Sequence, residues 1–461
     1  MDGEVLVAER HVDRPNFVFV FADDWGWGDL GCYGHPHVQT PNLDALAARG
    51  TLFTQFYVCS GVCSPSRAAV LTGQYPARFG IHGHFADHQR NAERGMPNWL
   101  DPSVTTYTRL LQQAGYAVGH YGKWHLGNGE GAPEPFAYGI DECCINVGNG
   151  PQLGFEMVYR SPAQVGTRAK SSEVIVDETI AFVERRRDAP FLVNVWLNDT
   201  HATLDPDEKQ LEPYLRFKPQ GLGGNHAGAN AIYFAVVTEA DRQIGRLLAR
   251  LDELELADNT IVIFSADNGP EDIAIRNASH SGVGSPGPFR GRKRSLYEGG
   301  VRVPFILSWP AGGAPQGVVD DVTPLCAVDL LPTFCALAGV TVPDGPLDGE
   351  DMSSAFRGVQ GARSTPLMWE WRFPVAGHCI NRSPMLAARL DDWKLLLNPA
   401  RDRVELYHIP SDPMELNNVA DQHPELVRRL SEQVLAWQTT LPDGPVHPTA
   451  GSNAYPWPGR A

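Results

Sequence analysis

The sequence predicts an α/β fold in which a mostly parallel central sheet is flanked by helices. Short apolar runs rich in β-branched and aromatic residues recur along the chain, and amphipathic segments with capping signals lie between them. Near-continuous apolar strands are typical of a parallel sheet that is buried on both faces. Strands that alternate with helices also favour right-handed crossover connections.

Five runs are predicted as strands, and the first four end in ionisable residues. The runs are NFVFVFADD, YAVGHYGKWH, PFLVNVWLNDTH, NTIVIFSADNG and VPFILSWP. Their terminal side chains are Asp23 and Asp24, Lys123 and His125, Asp199 and His201, and Asp267 with Asn268. Because ligands of such sheets bind beyond the carboxyl ends of the strands, this pattern predicts a site at that edge.

The predicted helices begin and end at recognisable capping residues. TPNLDALAARG has Thr40 as N-cap, Pro41 at the first helical position and Gly50 as a stop. TTYTRLLQQAG ends at Gly115 in the same way. Two longer amphipathic segments, SSEVIVDETIAFVERRR and YFAVVTEADRQIGRLLARLDEL, are also predicted as helices.

The pattern changes after about residue 360. PLMWEWRF, PMLAARLDDWKLLLNP and RVELYHIPSDP are typical of short strands with turns, and HPELVRRLSEQVLAWQ of a closing helix. We therefore predict an α/β domain over residues 1–360 and a smaller α+β subdomain with an antiparallel sheet over residues 361–461. The tail after Leu441 is expected to be irregular.

Charge and composition exclude some classes of function. The 461 residues carry a formal net charge of -16, which argues against a nucleic-acid partner because a polyanion is repelled. No apolar run is long enough to span a bilayer. The first residues lack the features of a secretory signal, so we expect a periplasmic or secreted protein if a leader was removed, and otherwise a cytoplasmic one. Cysteines without a CxxC pair argue against structural zinc and leave disulfides undecided.

Two acidic pairs suggest a metal site. Asp23 and Asp24 follow one predicted strand, and Asp267 and Asn268 follow another, which gives three carboxylates and one amide oxygen. Such oxygen ligands suit Ca²⁺ or Mg²⁺ better than Zn²⁺. The alternative for each pair is a helix cap or a turn.

The segment VCSPSRAAVLTG places Cys63 just before a predicted helix, with Ser64 as cap and Pro65 at its first position. The positive end of the helix dipole and Arg67 both favour an anion beside Cys63. On this basis the thiol is expected to be acidic and reactive. The alternative is an inert, buried cysteine.

Four basic side chains could form an anion pocket. Lys123, His125, His201 and Lys293 follow strands or lie in loops. If they face a metal across one crevice, they would bind a small tetrahedral anion. Taken singly, such residues are usually solvated lysines or hydrogen-bonded histidines.

Taken together, these motifs resemble the formylglycine-dependent type I sulfatases, which are arylsulfatases and carbohydrate sulfatases of the alkaline-phosphatase-like superfamily. CSPSRAAVLTG is similar to the family signature, C-x-P-x-R followed by L-T-G, at Cys63, Pro65, Arg67, Leu71, Thr72 and Gly73. FADDWGWGDLGCYG, TPNLDALAARG, GKWHLG, SADNGP and YEGGVRVP are similar to further blocks, in the family's order. The resemblance runs from about Pro15 to the closing helix.

The resemblance implies a nucleophile and a metal. A formylglycine-generating maturation enzyme would oxidise Cys63 to formylglycine, and one hydroxyl of its hydrate would attack sulfur while the other later expels sulfate. One Ca²⁺ per chain would be bound by Asp23, Asp24, residue 63, Asp267 and Asn268.

It also implies roles for the basic residues. Arg67 would steady the formylglycine and the ion, and His125 would be the base for elimination. Lys123, His201 and Lys293 would contact the substrate, and His201, with Lys293, would protonate the departing alcohol. Three departures are HATLDP without the usual nearby proline, Gln74 where arginine is frequent, and CCINVGNGPQ, which offers no further sulfate ligand.

The predicted function is hydrolysis of a sulfate monoester, on a sulfated carbohydrate in preference to a small aryl sulfate. A phosphodiesterase or phosphonate monoester hydrolase of the same fold is an alternative, although Asn268 stands where a zinc site would have histidine. An inactive, calcium-stabilised carbohydrate-binding protein is the non-enzymatic alternative. The pocket could be bordered by aromatic and basic residues: Trp369, Trp371, Arg372, His378, Arg276, His280, Arg290 and Arg292.

Overall fold

The computed structural model describes residues 14–127, 129–146, 148, 154–156, 165–167, 170–217, 228–275, 278 and 280–454. Its strands are β1 (Asn16–Ala22), β2 (Thr51–Tyr57), β3 (Ala117–Lys123), β4 (Glu142–Asn146), β5 (Gly154–Glu156), β6 (Val165–Thr167), β7 (Phe191–Trp196), β8 (Thr260–Ala266), β9 (Arg302–Ser308), β10 (Val318–Asp320), β11 (Leu325–Cys326), β12 (Leu367–Glu370), β13 (Leu386–Leu390), β14 (Trp393–Leu397) and β15 (Val404–His408). Its α-helices are α1 (Pro41–Ala48), α2 (Cys63–Thr72), α3 (His88–Glu93), α4 (Tyr107–Gln113), α5 (Ser171–Arg186), α6 (Glu208–Leu211), α7 (Ala229–Glu253), α8 (Glu298–Val301), α9 (Leu330–Ala338), α10 (Ser353–Phe356) and α11 (Pro424–Gln438).

The central sheet has the order β10-β2-β9-β8-β1-β7-β3-β4, and β11 also pairs with β2. Strand β9 is antiparallel to β2 and β8, and the other pairings of this sheet within the described residues are parallel. The predicted α/β fold with a mostly parallel sheet is therefore confirmed. The run VPFILSWP does form a strand, β9, but it runs against its neighbours.

Helices cover both faces of the sheet. Phe17 and Phe19 of β1 pack against Phe334 of α9 on one face. On the other face, Tyr121 of β3 packs against Phe182 of α5. All seven residues of β1 are buried, which explains why its sequence is apolar without alternation.

The second sheet lies in the C-terminal part of the chain. Strands β12, β13, β14 and β15 are antiparallel in that order, and α11 packs on β13 and β14. The predicted antiparallel sheet and closing helix are confirmed. No helix or strand occurs between residues 442 and 454, as expected for the tail. None of the described helices is both long and apolar enough to cross a bilayer.

One local prediction about a helix start was wrong, and another was confirmed. Helix α2 begins at Cys63 itself, with Val62 as N-cap, because the hydroxyl of Ser64 accepts a hydrogen bond from the Phe85 N–H at 3.0 Å. Thr40 is the N-cap residue of α1 and Pro41 its first residue, as predicted, although the Thr40 hydroxyl accepts from the Gly31 N–H at 2.8 Å and makes no capping hydrogen bond. In both cases a distant backbone group outcompetes the local cap.

Candidate active site

The predicted site residues meet beyond the carboxyl ends of β1, β3 and β8, beside the start of α2. Asp24 has a left-handed backbone (φ 63°), which turns the chain directly after β1. Its N–H donates to Oδ1 of Asp267 at 3.2 Å. This turn allows adjacent Asp23 and Asp24 to face the same centre, which a continuing strand would not permit.

A cluster of oxygen and sulfur atoms lies at this centre. Ligand atoms of Asp23, Cys63 and Asp267 all lie within 4.8 Å of one another, and the three residues are buried. Oδ1 of Asp23 and Oδ1 of Asn268 are buried without a hydrogen-bond partner. Asn268 is oriented by its amide, which donates to Oδ1 of Asp24 at 2.7 Å. Orphaned carboxylate and amide oxygens in one buried cluster fit a hard divalent cation.

Two lysines contact the paired aspartates. Nζ of Lys123 donates to Oδ2 of Asp23 at 2.5 Å, and Nζ of Lys293 donates to both oxygens of Asp24 at 2.6 and 2.7 Å. Burial alone would lower the pKa of Lys293, but Asp24 and Glu271 raise it above its ordinary value. Both lysines are buried, so their charges act in a medium that screens them little.

The electrostatics of the aspartates differ. Burial raises the pKa of Asp23, yet the charge of Lys123, with those of Arg67 and Lys293, outweighs it and leaves that pKa below its ordinary value. Burial, followed by repulsion from Asp23, raises the pKa of Asp267. A divalent cation would relieve this crowding of negative charge.

Arg67 lies beneath the cluster and is fully buried. Its Nε and one terminal nitrogen donate to Oδ2 of Asp267 at 3.0 and 2.7 Å. The guanidinium also lies over the Trp196 and Phe21 rings, 5.1 and 5.5 Å from their centroids. The contact set fixes the orientation of Asp267.

Cys63 and His125 lie side by side in the site. Sγ of Cys63 lies 3.3 Å from Nδ1 of His125, and Nε2 of His125 lies 3.1 Å from the Phe85 carbonyl oxygen. Because a carbonyl only accepts, Nε2 carries the proton and Nδ1 presents its lone pair to position 63. Burial and the charge of Lys123 hold the pKa of His125 well below its ordinary value, so the ring is neutral at pH 7.

The expectation of an acidic thiol was wrong. Burial raises the pKa of Cys63, and the opposing effects of Lys123 and Lys293 are smaller. Desolvation of the anion outweighs the helix dipole and the lysines because the sulfur is inside the protein. An unmodified thiol with a raised pKa is a weak nucleophile at neutral pH.

His201 is partly buried and follows β7. Its Nδ1 donates to the Ala202 carbonyl oxygen at 2.8 Å. Burial and the charge of Lys293 lower its pKa to about 4, so the ring is neutral at pH 7. Its role as the acid for the departing alcohol stays a prediction, as do the roles given to the other site residues.

Three residues near the cluster were not predicted from the sequence. Glu271 lies 3.6 Å from Nζ of Lys293 and also pairs with Arg294. His84 packs near His125, with ring centroids 6.5 Å apart. The position of Glu271 three residues after Asn268, and of Arg294 next to Lys293, is the only sequence signal for two of them.

A cavity of about 550 Å³ lies beside His84 and Arg294. Its remaining lining residues come from three segments: Gly83, Glu93, Arg94, Trp371, Phe373, Pro374, Pro445, Val446, His447 and Pro448. Of the predicted wall residues, Trp371 lines this cavity.

The other predicted wall residues have different positions. Trp369 is buried and donates to the Val58 carbonyl oxygen at 2.7 Å, and Arg372 is buried against Glu370 at 2.7 Å. His378 caps a short helix. Arg290 and Arg292 bond to backbone carbonyl oxygens. The cavity is therefore not lined by these predicted wall residues: Trp369, Arg372, His378, Arg290, Arg292 and His280. Arg276 lies outside the described residues.

Comparison with known proteins decides the family. A family model described as Sulfatase matches residues 15–340. The chain belongs to the sulfatase family. A second model, described as N-sulphoglucosamine sulphohydrolase, C-terminal, matches residues 289–440 of this sulfatase. The protein is a sulfuric ester hydrolase, and the sulfatase family generally depends on formylglycine and a metal.

Relatives and solved structures agree with this assignment. N-acetylgalactosamine-6-O-sulfatase of Bacteroides thetaiotaomicron is 30% identical over 92% of this sulfatase and 93% of the relative. Human arylsulfatase A is 35% identical over 77% of this sulfatase and 70% of the relative. The crystal structure of Ps i-CgsB in complex with k-i-k-neocarrahexaose has a TM-score of 0.78 and 26% identity, covering 96% of this sulfatase and 97% of that chain. The alkaline-phosphatase-like fold expected from the motifs is thereby confirmed.

Proposed function

We propose that this sulfatase removes sulfate from a sulfated carbohydrate, with formylglycine at position 63 and one Ca²⁺. The observation that carries the proposal is the convergence of Asp23, Cys63 and Asp267, whose ligand atoms lie within 4.8 Å. This arrangement would put an attacking group at position 63 directly beside the ion. The proposed metal ligands are Asp23, Asp24, residue 63, Asp267 and Asn268.

Ca²⁺ and formylglycine would supply charge and a nucleophile that the unmodified side chains do not provide. When bound, Ca²⁺ provides charge that polarises sulfate oxygens, and formylglycine hydrate provides one hydroxyl for attack and a second for sulfate expulsion. The raised pKa of the Cys63 thiol supports the need for such a modification. Calcium is favoured over zinc because the donors are carboxylate and amide oxygens.

His125 is suited to move a proton at position 63. Its Nδ1 faces this position at 3.3 Å, and the hydrogen bond from Nε2 to the Phe85 carbonyl oxygen fixes the tautomer. The neutral ring can accept a proton from a hydroxyl held there. This is the arrangement that sulfate expulsion requires.

Lys123 and Lys293 would hold the sulfate oxygens. Both are buried and lie against the aspartates that flank position 63. A divalent ion would share these carboxylates, so that the ammonium groups can contact a substrate anion. Buried, preorganised cations of this kind stabilise charge without a large cost of reorganisation.

A carbohydrate is favoured as the alcohol part of the substrate. The cavity beside His84 and Arg294 presents the Trp371 and Phe373 rings, and sugar faces pack well on aromatic rings. The relative from Bacteroides thetaiotaomicron is named for a sulfated amino sugar and aligns over nearly the whole chain. The similarity to human arylsulfatase A makes a small aryl sulfate the second candidate substrate.

The experiment co-expresses the protein with a formylglycine-generating enzyme and measures both modification and turnover. Mass spectrometry of the peptide containing residue 63 should show formylglycine in the wild type, and C63A should release no sulfate. Cys379→Ala, outside the described site, is the matched control and should keep turnover. Turnover of N-acetylgalactosamine 6-sulfate, 4-nitrophenyl sulfate and bis(4-nitrophenyl) phosphate separates the carbohydrate, aryl and phosphodiester candidates. Modified protein that cleaves none of them would contradict the proposal.

A further inference from the structure

One cation in the cavity wall, Arg94, forms no ion pair with a carboxylate of the described residues. Arg94 follows α3, and its guanidinium lies over the Phe373 ring, 5.6 Å from the centroid. One of its nitrogens donates to the His84 carbonyl oxygen at 3.2 Å. Among the described residues no carboxylate lies within 4.0 Å of Arg94, whereas Arg294 in the same wall pairs with Glu271. Although the charges of Asp87 and Glu93 act on it from a distance, the half-buried guanidinium forms no ion pair among the described residues and is available to bind an anion.

The cavity adjoins the candidate active site through two of its lining residues, His84 and Arg294. His84 lines it, and its ring lies 6.5 Å from that of His125. Arg294 also lines it, and its N–H donates to the Gly61 carbonyl oxygen at 2.7 Å, two residues before Cys63. The part of a substrate that leaves with the alcohol oxygen therefore extends toward Arg94.

The aromatic side chains beside Arg94 are suited to bind a sugar ring. Trp371 and Phe373 meet edge to face with centroids 5.4 Å apart, and both line the cavity beside the guanidinium. Aromatic faces beside a planar cation bind rings that carry both apolar C–H faces and an anionic substituent.

The C-terminal tail fixes this wall in place. Gly95, next to Arg94, has a left-handed backbone (φ 64°), and a Cβ there would lie 2.4 Å from Cδ of Pro445. The His447 N–H donates to the Arg372 carbonyl oxygen at 2.9 Å. Arg94 is thus held between the tail and the aromatic pair, and its position is preorganised.

We propose that Arg94 binds a second oxyanion of the saccharide substrate, a carboxylate or a further sulfate, and so selects acidic sulfated sugars. The proposal rests on the proposed function, because it assigns the leaving saccharide to this cavity. The two sources of the anion share one chemistry, an oxyanion that accepts paired N–H groups from a guanidinium.

The test measures kcat and KM for three sulfated sugars. They are N-acetylgalactosamine 6-sulfate, the same sugar linked to a uronic acid, and N-acetylgalactosamine 4,6-disulfate. The wild type should prefer at least one of the doubly charged sugars over the first by about tenfold or more in kcat/KM. The uronate and disulfate arms show which oxyanion is bound.

Arg94→Ala should lower that preference about tenfold, mainly through KM, and Arg94→Lys should retain part of it. Arg90→Ala is the matched control, because Arg90 is exposed and lies four residues earlier, paired with Asp87. Its preference should equal that of the wild type.

An unchanged preference in Arg94→Ala, or no preference in the wild type, would overturn the proposal. Hydrolysis of 4-nitrophenyl sulfate with no sulfate released from any of the three sugars would also overturn it, while leaving sulfatase activity intact. If protein with formylglycine verified by mass cleaves none of these sulfate esters, the proposed function itself is contradicted.

Discussion

Nδ1 of His125 faces Sγ of Cys63 at 3.3 Å, while the rest of the imidazole is anchored through Nε2. His125 also has a left-handed backbone (φ 53°), which directs its ring across the start of α2. The pairing is therefore built by backbone conformation and by one hydrogen bond, and not by packing alone. It defines one direction for proton transfer at position 63.

We expect His125→Asn to lower kcat on the order of 10²- to 10³-fold, because an amide cannot accept the proton from position 63. Asparagine tolerates the left-handed backbone at this position, so the fold should be kept. The measurement is steady-state turnover of 4-nitrophenyl sulfate by formylglycine-containing protein. His37→Ala, an exposed histidine, serves as control, and a kcat within threefold of the wild type for His125→Asn would contradict the assignment.

Removal of divalent metal should lower the melting temperature, because a ligand that binds only the folded state stabilises it. Calcium binding, measured by isothermal titration calorimetry on chelator-treated protein, should show one site. Asn268→Leu should weaken Ca²⁺ binding by about tenfold or more, since it removes the orphaned Oδ1 at nearly constant volume. Asn417→Leu at the surface should bind as the wild type does. Equal affinities in all three proteins would exclude Asn268 as a ligand.

Arg67→Lys should destabilise the fold by about 2–3 kcal/mol, even though the charge is kept. Lysine cannot reproduce the two bonds to Asp267, and that carboxylate is wholly buried. Thermal unfolding of the chelator-treated proteins measures this without a metal contribution. Arg49→Lys is the control, because its ion pair with Asp252 is exposed and such pairs contribute less than about 1 kcal/mol. Equal destabilisation by both changes would refute a structural role for the Arg67 pair.

The sequence allowed the convergence of the acidic and amide side chains to be predicted because parallel strands end at one edge of the sheet. Asp24 and Asn268 are far apart in the chain, yet their positions after β1 and β8 bring them within 2.7 Å. The same logic could not find His84 or Arg94. Their place near the centre depends on the path of a loop after α2, and no periodic pattern records such a path.

Tertiary structure overrides the local sequence signal at Ser64, Cys63 and Trp369. Ser64 has the sequence of a helix cap, but its hydroxyl is taken by a backbone N–H from Phe85. Cys63 sits at a helix start, but burial outweighs the dipole and raises its pKa. Trp369 and Trp371 are alike in sequence, whereas only Trp371 lines the described cavity, because Trp369 lies inside β12 and is covered. In each case a tertiary contact or burial determined the outcome, and the local sequence does not record either.

The junction between the central sheet and the C-terminal sheet contains a buried pair of glutamates, Glu298 and Glu415. Lys394 of β14 lies 2.9 Å from Glu298 of α8 and 3.3 Å from Glu415. The Glu298 N–H also donates to Glu415 at 2.6 Å. Burial, aided by repulsion from Glu298, raises the pKa of Glu415 from 4.5 to about 7, despite the nearby lysine.

Stability should therefore fall as pH rises through this range. The folded state keeps a proton on Glu415 between pH 4.5 and about 7 that the unfolded chain has lost, so its stabilising effect is complete below pH 4.5 and gone above about 7. Glu415→Gln cannot titrate, so the melting temperature of the wild type relative to this variant should decrease between pH 5 and pH 8. Glu425→Gln, exposed on α11, is the control and should show no comparable trend. A difference between wild type and Glu415→Gln that is flat or rises with pH would show that Glu415 is already ionised at pH 5 in the folded protein.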